Sequence, residues 1–464
     1  MKVFIFRERE VSQSLAVSTV CRLHRLVERK AQASKSFSGS FSCDASRATV
    51  SPDSIDSMSD QTEWAHAAMR REATRAREEG RDSVLARRRF ADSAFCAENA
   101  IAAMGLPAVM DGLRQCHFRD RLLLARLKQL LASGEDSPDD FFLSTAASSS
   151  AETTPLSALV SLLSGSAAAD EGNGDSSGSS SSSSSSAAAA LQLLAAQVVA
   201  NLAPLHEKHG LLLARSAGPF LITLLASGST RLRESSCVAL GNLALAGAKV
   251  VRVLVNQEVV ESLLVATECG EESVRSAAFY ALYHVLHTCP PECVEGGALE
   301  RLVAVCKGQL ELAYRAMPIE LPWVLFVLSC NHALHGSLNT RAVVTKALDI
   351  CTYEIFQKSD SRPLVRVVTP VVRLLANLCS GPGSESASMS CLAHPDLQAI
   401  LMALLATNYS HLCKESLWWF ANIVNSESVV VQEHLVELDI MDKLEFHTVQ
   451  AVQKMDPYLS NVMH

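Results

Sequence analysis

Apolar residues recur along this chain in short runs that close in nearly the same way: Ala196-Gln-Val-Val-Ala-Asn201-Leu202, Cys237-Val-Ala-Leu-Gly-Asn242-Leu243, Val372-Arg-Leu-Leu-Ala-Asn377-Leu378 and Leu417-Trp-Trp-Phe-Ala-Asn422-Ile423. Weaker copies stand between them at Tyr280-Ala-Leu-Tyr-His284-Val and Trp323-Val-Leu-Phe-Val327-Leu. Each run reads as a small apolar helix with another apolar helix before it, as where Gly218 to Gly228 leads into Arg231-Leu-Arg-Glu-Ser-Ser-Cys-Val-Ala-Leu. One such pair cannot bury its own apolar face, so the pattern predicts copies stacked on one another.

The period confirms the repeat. Asn201 and Asn242 are 41 residues apart, and Asn377 and Asn422 are 45 apart, a spacing shared by helical solenoids of the armadillo or HEAT kind. The expected fold is therefore all-α, a superhelical solenoid of the armadillo or HEAT kind over residues 100–464; the armadillo-repeat form is what the resemblance given below implies. Helical patterning begins near Ile101 and Leu106 and is clear in Arg121 to Leu131. It resumes at Pro155 to Leu163, which reads as the middle helix of a repeat whose last helix is Leu191 to Leu202. Between them, residues 170–186 end in eight consecutive serines and carry no apolar residue beyond glycine, so a flexible insertion within one repeat is expected. Such a loop is tolerable, because each doubling of loop length costs only ~0.6 kcal/mol. The more polar Val429 to Leu444 should cap the stack. Residues 1–60 show little apolar periodicity and are expected to be disordered.

Composition sharpens this picture. A chain of 464 residues with 48% hydrophobic but only 5% aromatic residues suits a Leu/Ala/Val-rich helical stack rather than a sheet protein. A formal net charge of −8 argues against nucleic acid as the main partner. The cysteines fall mostly inside helix patterns (Cys237, Cys306, Cys330, Cys379, Cys413), which points to reduced thiols inside the cell. No secretory leader is evident, and Glu8 and Glu10 weaken a mitochondrial one. No run reaches the ~18 to 20 apolar residues that spanning requires; Leu321 to Cys330 reads as a buried helix, and no membrane insertion is expected. Against the acidic background, residues 64–90 carry Arg70, Arg71, Arg75, Arg77, Arg81, Arg87, Arg88 and Arg89 and no lysine. Such a segment suits multidentate recognition of an acidic surface, or else is a solvated charged helix.

Trp418 and Asn422 share one helix face, with Glu415 one turn earlier. If that face is open, the indole can receive the stem and charge of Lys or Arg, and the carboxamide can hold a peptide backbone. In the competing reading Trp418 is core and the asparagine ties one repeat's backbone to the next. His284, His287, Cys289 and Cys293 are close in sequence but match no recognised zinc spacing, so no metal or other cofactor is expected. No phosphate loop, His-Glu-x-x-His or Gly-x-Ser-x-Gly motif occurs, and no enzyme activity is expected.

The Trp418-x-x-x-Asn422-Ile wording, the Ala-Leu-Gly-Asn242-Leu copy and the arginine-rich segment ahead of the array resemble the importin-alpha family of armadillo adaptors. Residues 64–464 also resemble proteins of the series labelled transmembrane and coiled-coil domain-containing, themselves similar to importin alpha. The first resemblance implies an adaptor in protein import into the nucleus, found in cytoplasm and nucleus. Its basic segment would bind importin beta, with Arg87-Arg88-Arg89 imitating a localisation signal. A cargo protein or extended peptide would lie in a groove lined by Asn201, Asn242, Trp323, Asn377, Glu415, Trp418 and Asn422. The chain departs from the family at Gln197, Val238 and Arg373, where the family has Trp, and at Val327, where it has Asn. An armadillo scaffold without transport activity is the alternative.

Overall fold

The computed structural model describes residues 100–133, 142, 154–165, 181–203, 207–289, 294, 296–357, 364–380, 383–407, 409–438, 440 and 444. The expectations for residues 1–60 and 64–90, including the arginines from Arg70 to Arg89, lie outside the described residues.

Every regular element among the described residues is helical. After a 3-10 turn at Ala100–Ala103 come α1 (Leu106–Gln115) and α2 (Arg121–Ser133), then α3 (Pro155–Ser164) and α4 (Ser181–Leu202). Two full three-helix units follow. The first is α5 (Glu207–Ser216), α6 (Gly218–Leu224) and α7 (Thr230–Ala244); the second is α8 (Ala248–Val255), α9 (Val259–Thr267) and α10 (Glu272–Thr288). Next are α11 (Gly296–Leu310) and α12 (Leu321–Ser329), and then the short α13 (His335–Leu338), α14 (Arg341–Thr352) and α15 (Leu364–Leu378). The last unit is α16 (Glu385–Leu392), α17 (Leu397–Ala406) and α18 (Ser410–Val424), followed by α19 (Val429–Glu437).

Local chemistry sets many of these limits. Thr154 caps α3 by accepting the Ser157 N–H, Pro155 supplies its first residue, and Gly165 stops it in the left-handed region at φ 74°. Ser229 caps α7 through the Leu232 N–H, and Ser428 caps α19 through that of Val431. One expectation needs correction. The serine run is not wholly a loop, because α4 starts at Ser181 and its first six residues are serine. Ala187 to Ala190 are strong helix formers, and extending a helix backwards from them costs far less than nucleating one.

The units join through their final helices. α2, α4, α7, α10, α12, α15 and α18 pack consecutively, each on the next, and the other helices of each unit lie against this spine. The middle members are enclosed on all sides: Ser235 to Ala244 of α7, Ala277 to Leu286 of α10 and the whole of α12 are buried. Full enclosure explains why these helices show no polar stripe. α7 crosses α10 closely: a Cβ on Gly241 would sit 2.7 Å from the Tyr280 ring and 3.0 Å from the Ala281 Cα. Glycine is what permits that approach.

No single helix among the described residues is long and apolar enough to cross a membrane. α16 and α17 reach that threshold only together, and they bend by 91° between them. α19 packs through Val431 and Leu435, while Val429 and Val430 face outward. The described cysteines are free thiols, with Cys237, Cys306, Cys379 and Cys413 buried.

Candidate functional site

Aligned final helices place Asn201, Asn242, His284, Val327, Asn377 and Asn422 at one level of the spine, with Gln197, Val238, Tyr280, Trp323, Arg373 and Trp418 one turn earlier. The amides act between helices. Asn201 Nδ2 donates to the Lys128 carbonyl at 2.9 Å, Asn242 Nδ2 to that of Ala200 at 2.8 Å, and Asn422 Nδ2 to that of Ala376 at 2.8 Å.

The Ala200 and Ala376 acceptors are carbonyls near helix ends, where intrahelical donors run out. The residue four beyond Ala200 is Pro204, which has no N–H. Four beyond Ala376, the Ser380 N–H bonds to Asn377 instead. In each case the next unit's asparagine supplies the missing donor. At α12 the link is indirect: Asn377 Nδ2 donates to Ser329 Oγ at 2.8 Å, and Ser329 Oγ donates to the Phe326 carbonyl at 2.7 Å.

The sequence-derived groove residues therefore divide into two groups. Asn201, Asn242 and Asn377 are buried, and Asn242, with no exposed surface, also accepts the Tyr280 hydroxyl at 2.7 Å. Trp323 is buried too, its indole N–H donated to the Arg366 carbonyl at 2.9 Å and its ring packed on Tyr283 and Phe326. These four are placed as ties between repeats.

Glu415, Trp418 and Asn422 are different. All three are half-buried on one face of α18. Glu415 Oε1 accepts from Arg373 Nε at 2.9 Å and Nη2 at 2.7 Å, leaving Oε2 without a partner among the described residues. Asn422 Oδ1 and the Trp418 indole N–H are likewise unengaged among them. This face thus offers an aromatic surface, a carboxylate oxygen and an amide oxygen within three turns.

A free guanidinium at Arg373 would repel a cationic ligand. Its guanidinium is instead held by Glu415 and lies 5.4 Å from the centre of the Phe326 ring. A second ion pair joins Glu320 and Arg366 at 3.6 Å, and Ser276 Oγ donates to Glu320 Oε2 at 3.3 Å. At the other end Lys128 Nζ meets Gln197 Oε1 at 3.3 Å, and Gln197 Nε2 meets Ser235 Oγ at 3.4 Å. One turn before Glu415, His411 has its pKa lowered by burial and then by the Arg373 charge. Burial pushes the Tyr283 hydroxyl pKa up, which keeps it neutral.

Tyr280, Phe326, Ser329 and Arg366 were missed by sequence reasoning. Tyr280 was legible, since it stands four before His284, at the position that Trp323 and Trp418 take in their own copies. The Ser329 relay and the two ion pairs link residues on different helices and carry no local signal. His284 is buried between the Tyr280 and Tyr283 rings. Cys293, part of the constellation considered for zinc, lies outside the described residues.

Three-helix units on a spine of final helices, tied by side-chain bonds that recur 42, 43 and 46 residues apart in sequence, define an armadillo-type repeat protein. No family model and no curated protein matches the chain. Among solved structures it is similar to the designed armadillo repeat protein YIII(Dq)4CqI, at 15% identity over 57% of this chain and 98% of that one, with a TM-score of 0.43. It is also similar to the designed armadillo repeat protein YIII(Dq.V1)4CPAF in complex with peptide (KR)4, at 16% identity over 57% and 97%, TM-score 0.42.

Proposed function

We propose that this protein is a non-enzymatic adaptor that takes an extended, basic segment of a partner protein on the inner face of α18. The observation that carries this reading is the half-exposed row of Glu415, Trp418 and Asn422, whose bonding capacity is open where that of Asn242 and Trp323 is filled. A Lys or Arg side chain would lay its stem on the Trp418 indole and its charge beside Glu415 Oε2, while Asn422 Oδ1 accepts a peptide N–H. Cation–π and charged hydrogen-bond contributions of about 1–2 kcal/mol each give a weak anchor, strengthened by any second contact.

In its specific form the proposal is an importin-alpha-like role in protein import into the nucleus, in cytoplasm and nucleus. The arginines between Arg70 and Arg89 would bind importin beta and compete for the groove when released. The second reading, a scaffold without transport activity, is favoured by the closure of the inner wall from α4 to α12, which leaves one anchor rather than a row.

Two measurements separate these. A fluorescent Lys/Arg-alternating peptide should bind the full chain, and Trp418→Ala and Glu415→Gln should each weaken it about tenfold while leaving the helical signal unchanged. Equal binding by both variants refutes the α18 site. A pull-down with importin beta at physiological salt, with and without Arg87-Arg88-Arg89→Ala, decides the transport role: no retention, or retention indifferent to the substitution, leaves the scaffold.

A further inference from the structure

Where α15 ends and α16 begins its unit, two cysteines meet. Cys379 Sγ lies 3.8 Å from Cys391 Sγ, 12 residues further along the chain. Both are buried, at 2% and 0% exposed. The fully buried indole of Trp419 leaves its N–H without a hydrogen-bond partner among the described residues.

We propose that Cys379 and Cys391 are an oxidation site, a dithiol that closes to a reversible disulfide on reaction with a peroxide. In the balanced step one S–S bond forms and both S–H bonds break. The peroxide O–O bond is cleaved, and its oxygens leave as two waters carrying the two thiol hydrogens. The sulfurs are oxidised and the peroxide is reduced.

Geometry supports this particular pair. Closing from 3.8 Å to the ~2 Å of a disulfide needs side-chain rotation and a small shift of one short helix. α16 has eight residues and no side-chain cap at its start, and Gly383 leads into it at φ 80°. A short uncapped helix opens locally at low cost, and opening admits the oxidant. In the closed state burial, then the Cys379 thiol, pushes the Cys391 pKa well above the usual thiol range. The reduced pair is therefore inert until α16 opens, which suits a reducing compartment where disulfides are transient. The site stands independently of peptide binding, although Trp419 adjoins Trp418 and would report its state to α18.

The test uses the full chain treated with hydrogen peroxide under native conditions, then alkylated and mapped by mass spectrometry. The expected product is a cross-linked Cys379–Cys391 peptide pair lacking two hydrogens and restored by dithiothreitol. Amide exchange in α16 should then slow roughly a hundredfold, as closing a loop of this length predicts. Cys379→Ser and Cys391→Ser should each abolish the cross-link, and the small size of serine keeps the fold testable by circular dichroism. If the half-buried thiols Cys116, Cys269 and Cys330 oxidise while this pair stays reduced, or if the pair links only after unfolding, the proposal is overturned. A cross-link formed without any change in α16 exchange also contradicts it.

Discussion

Replacing Asn242 with alanine removes both bonds of a residue that has no exposed surface. The Ala200 carbonyl, already denied its helical donor by Pro204, loses the amide at 2.8 Å, and the Tyr280 hydroxyl loses its acceptor at 2.7 Å. Each orphaned buried group costs about 1–3 kcal/mol, so the expected loss is about 3–4 kcal/mol, enough to consume a large share of a typical folding free energy. Asn422→Ala, at a half-buried position tied among the described residues to the Ala376 carbonyl alone, should cost only about 1 kcal/mol. The assay is urea unfolding of both variants followed by far-ultraviolet circular dichroism, comparing midpoints and slopes, since repeat stacks can lose cooperativity. If Asn242→Ala falls within about 1 kcal/mol of the parent, or Asn422→Ala matches it, the division into structural and open amides is wrong.

Gly241→Ala should destabilise by about 1–3 kcal/mol despite the better helix propensity of alanine, because the new methyl overlaps the Tyr280 ring at 2.7 Å; a raised melting temperature would contradict this. A double-mutant cycle on Arg373→Ala and Glu415→Gln should return a coupling of about 1 kcal/mol that shrinks with added salt, and a salt-independent value would point to packing alone. His335 and His411 both have pKa values lowered from 6.5, in each case first by burial. The unfolded chain then binds protons that the folded chain refuses, so stability is complete above pH 6.5 and falls as pH drops below it. His411→Gln should make that acid-side slope shallower in thermal melts across pH.

Much of the fold was legible because an armadillo-type unit repeats its burial pattern. The apolar runs closing in Ala-Asn or Gly-Asn followed by Leu or Ile marked α4, α7, α15 and α18, and Trp323 to Leu328 marked α12 as buried. The serine run misled, because serine's weak intrinsic preference was outweighed by the alanines that follow it. For the candidate site, helical spacing alone groups Glu415, Trp418 and Asn422 on one face, yet Asn242 and Trp323 looked equivalent to Asn422 and Trp418 in sequence. They differ in what the neighbouring helix presents: Tyr280 above Asn242, and the Arg366 carbonyl beside Trp323.

By itself the sequence determined the period, the helix faces and the all-α class, since these follow from local propensity and from apolar spacing within one helix. Tertiary structure alone decided which amides are sealed and which stay open, where Arg373 finds its counter-charge, and that Cys379 meets Cys391. The amide ties and the Arg373 ion pair depend on side chains about forty residues away on the next turn of the stack, and the cysteine pair on how a connection 12 residues long folds back. Repetition brings them within 3–4 Å, while no local pattern in the chain announces which partner will be there.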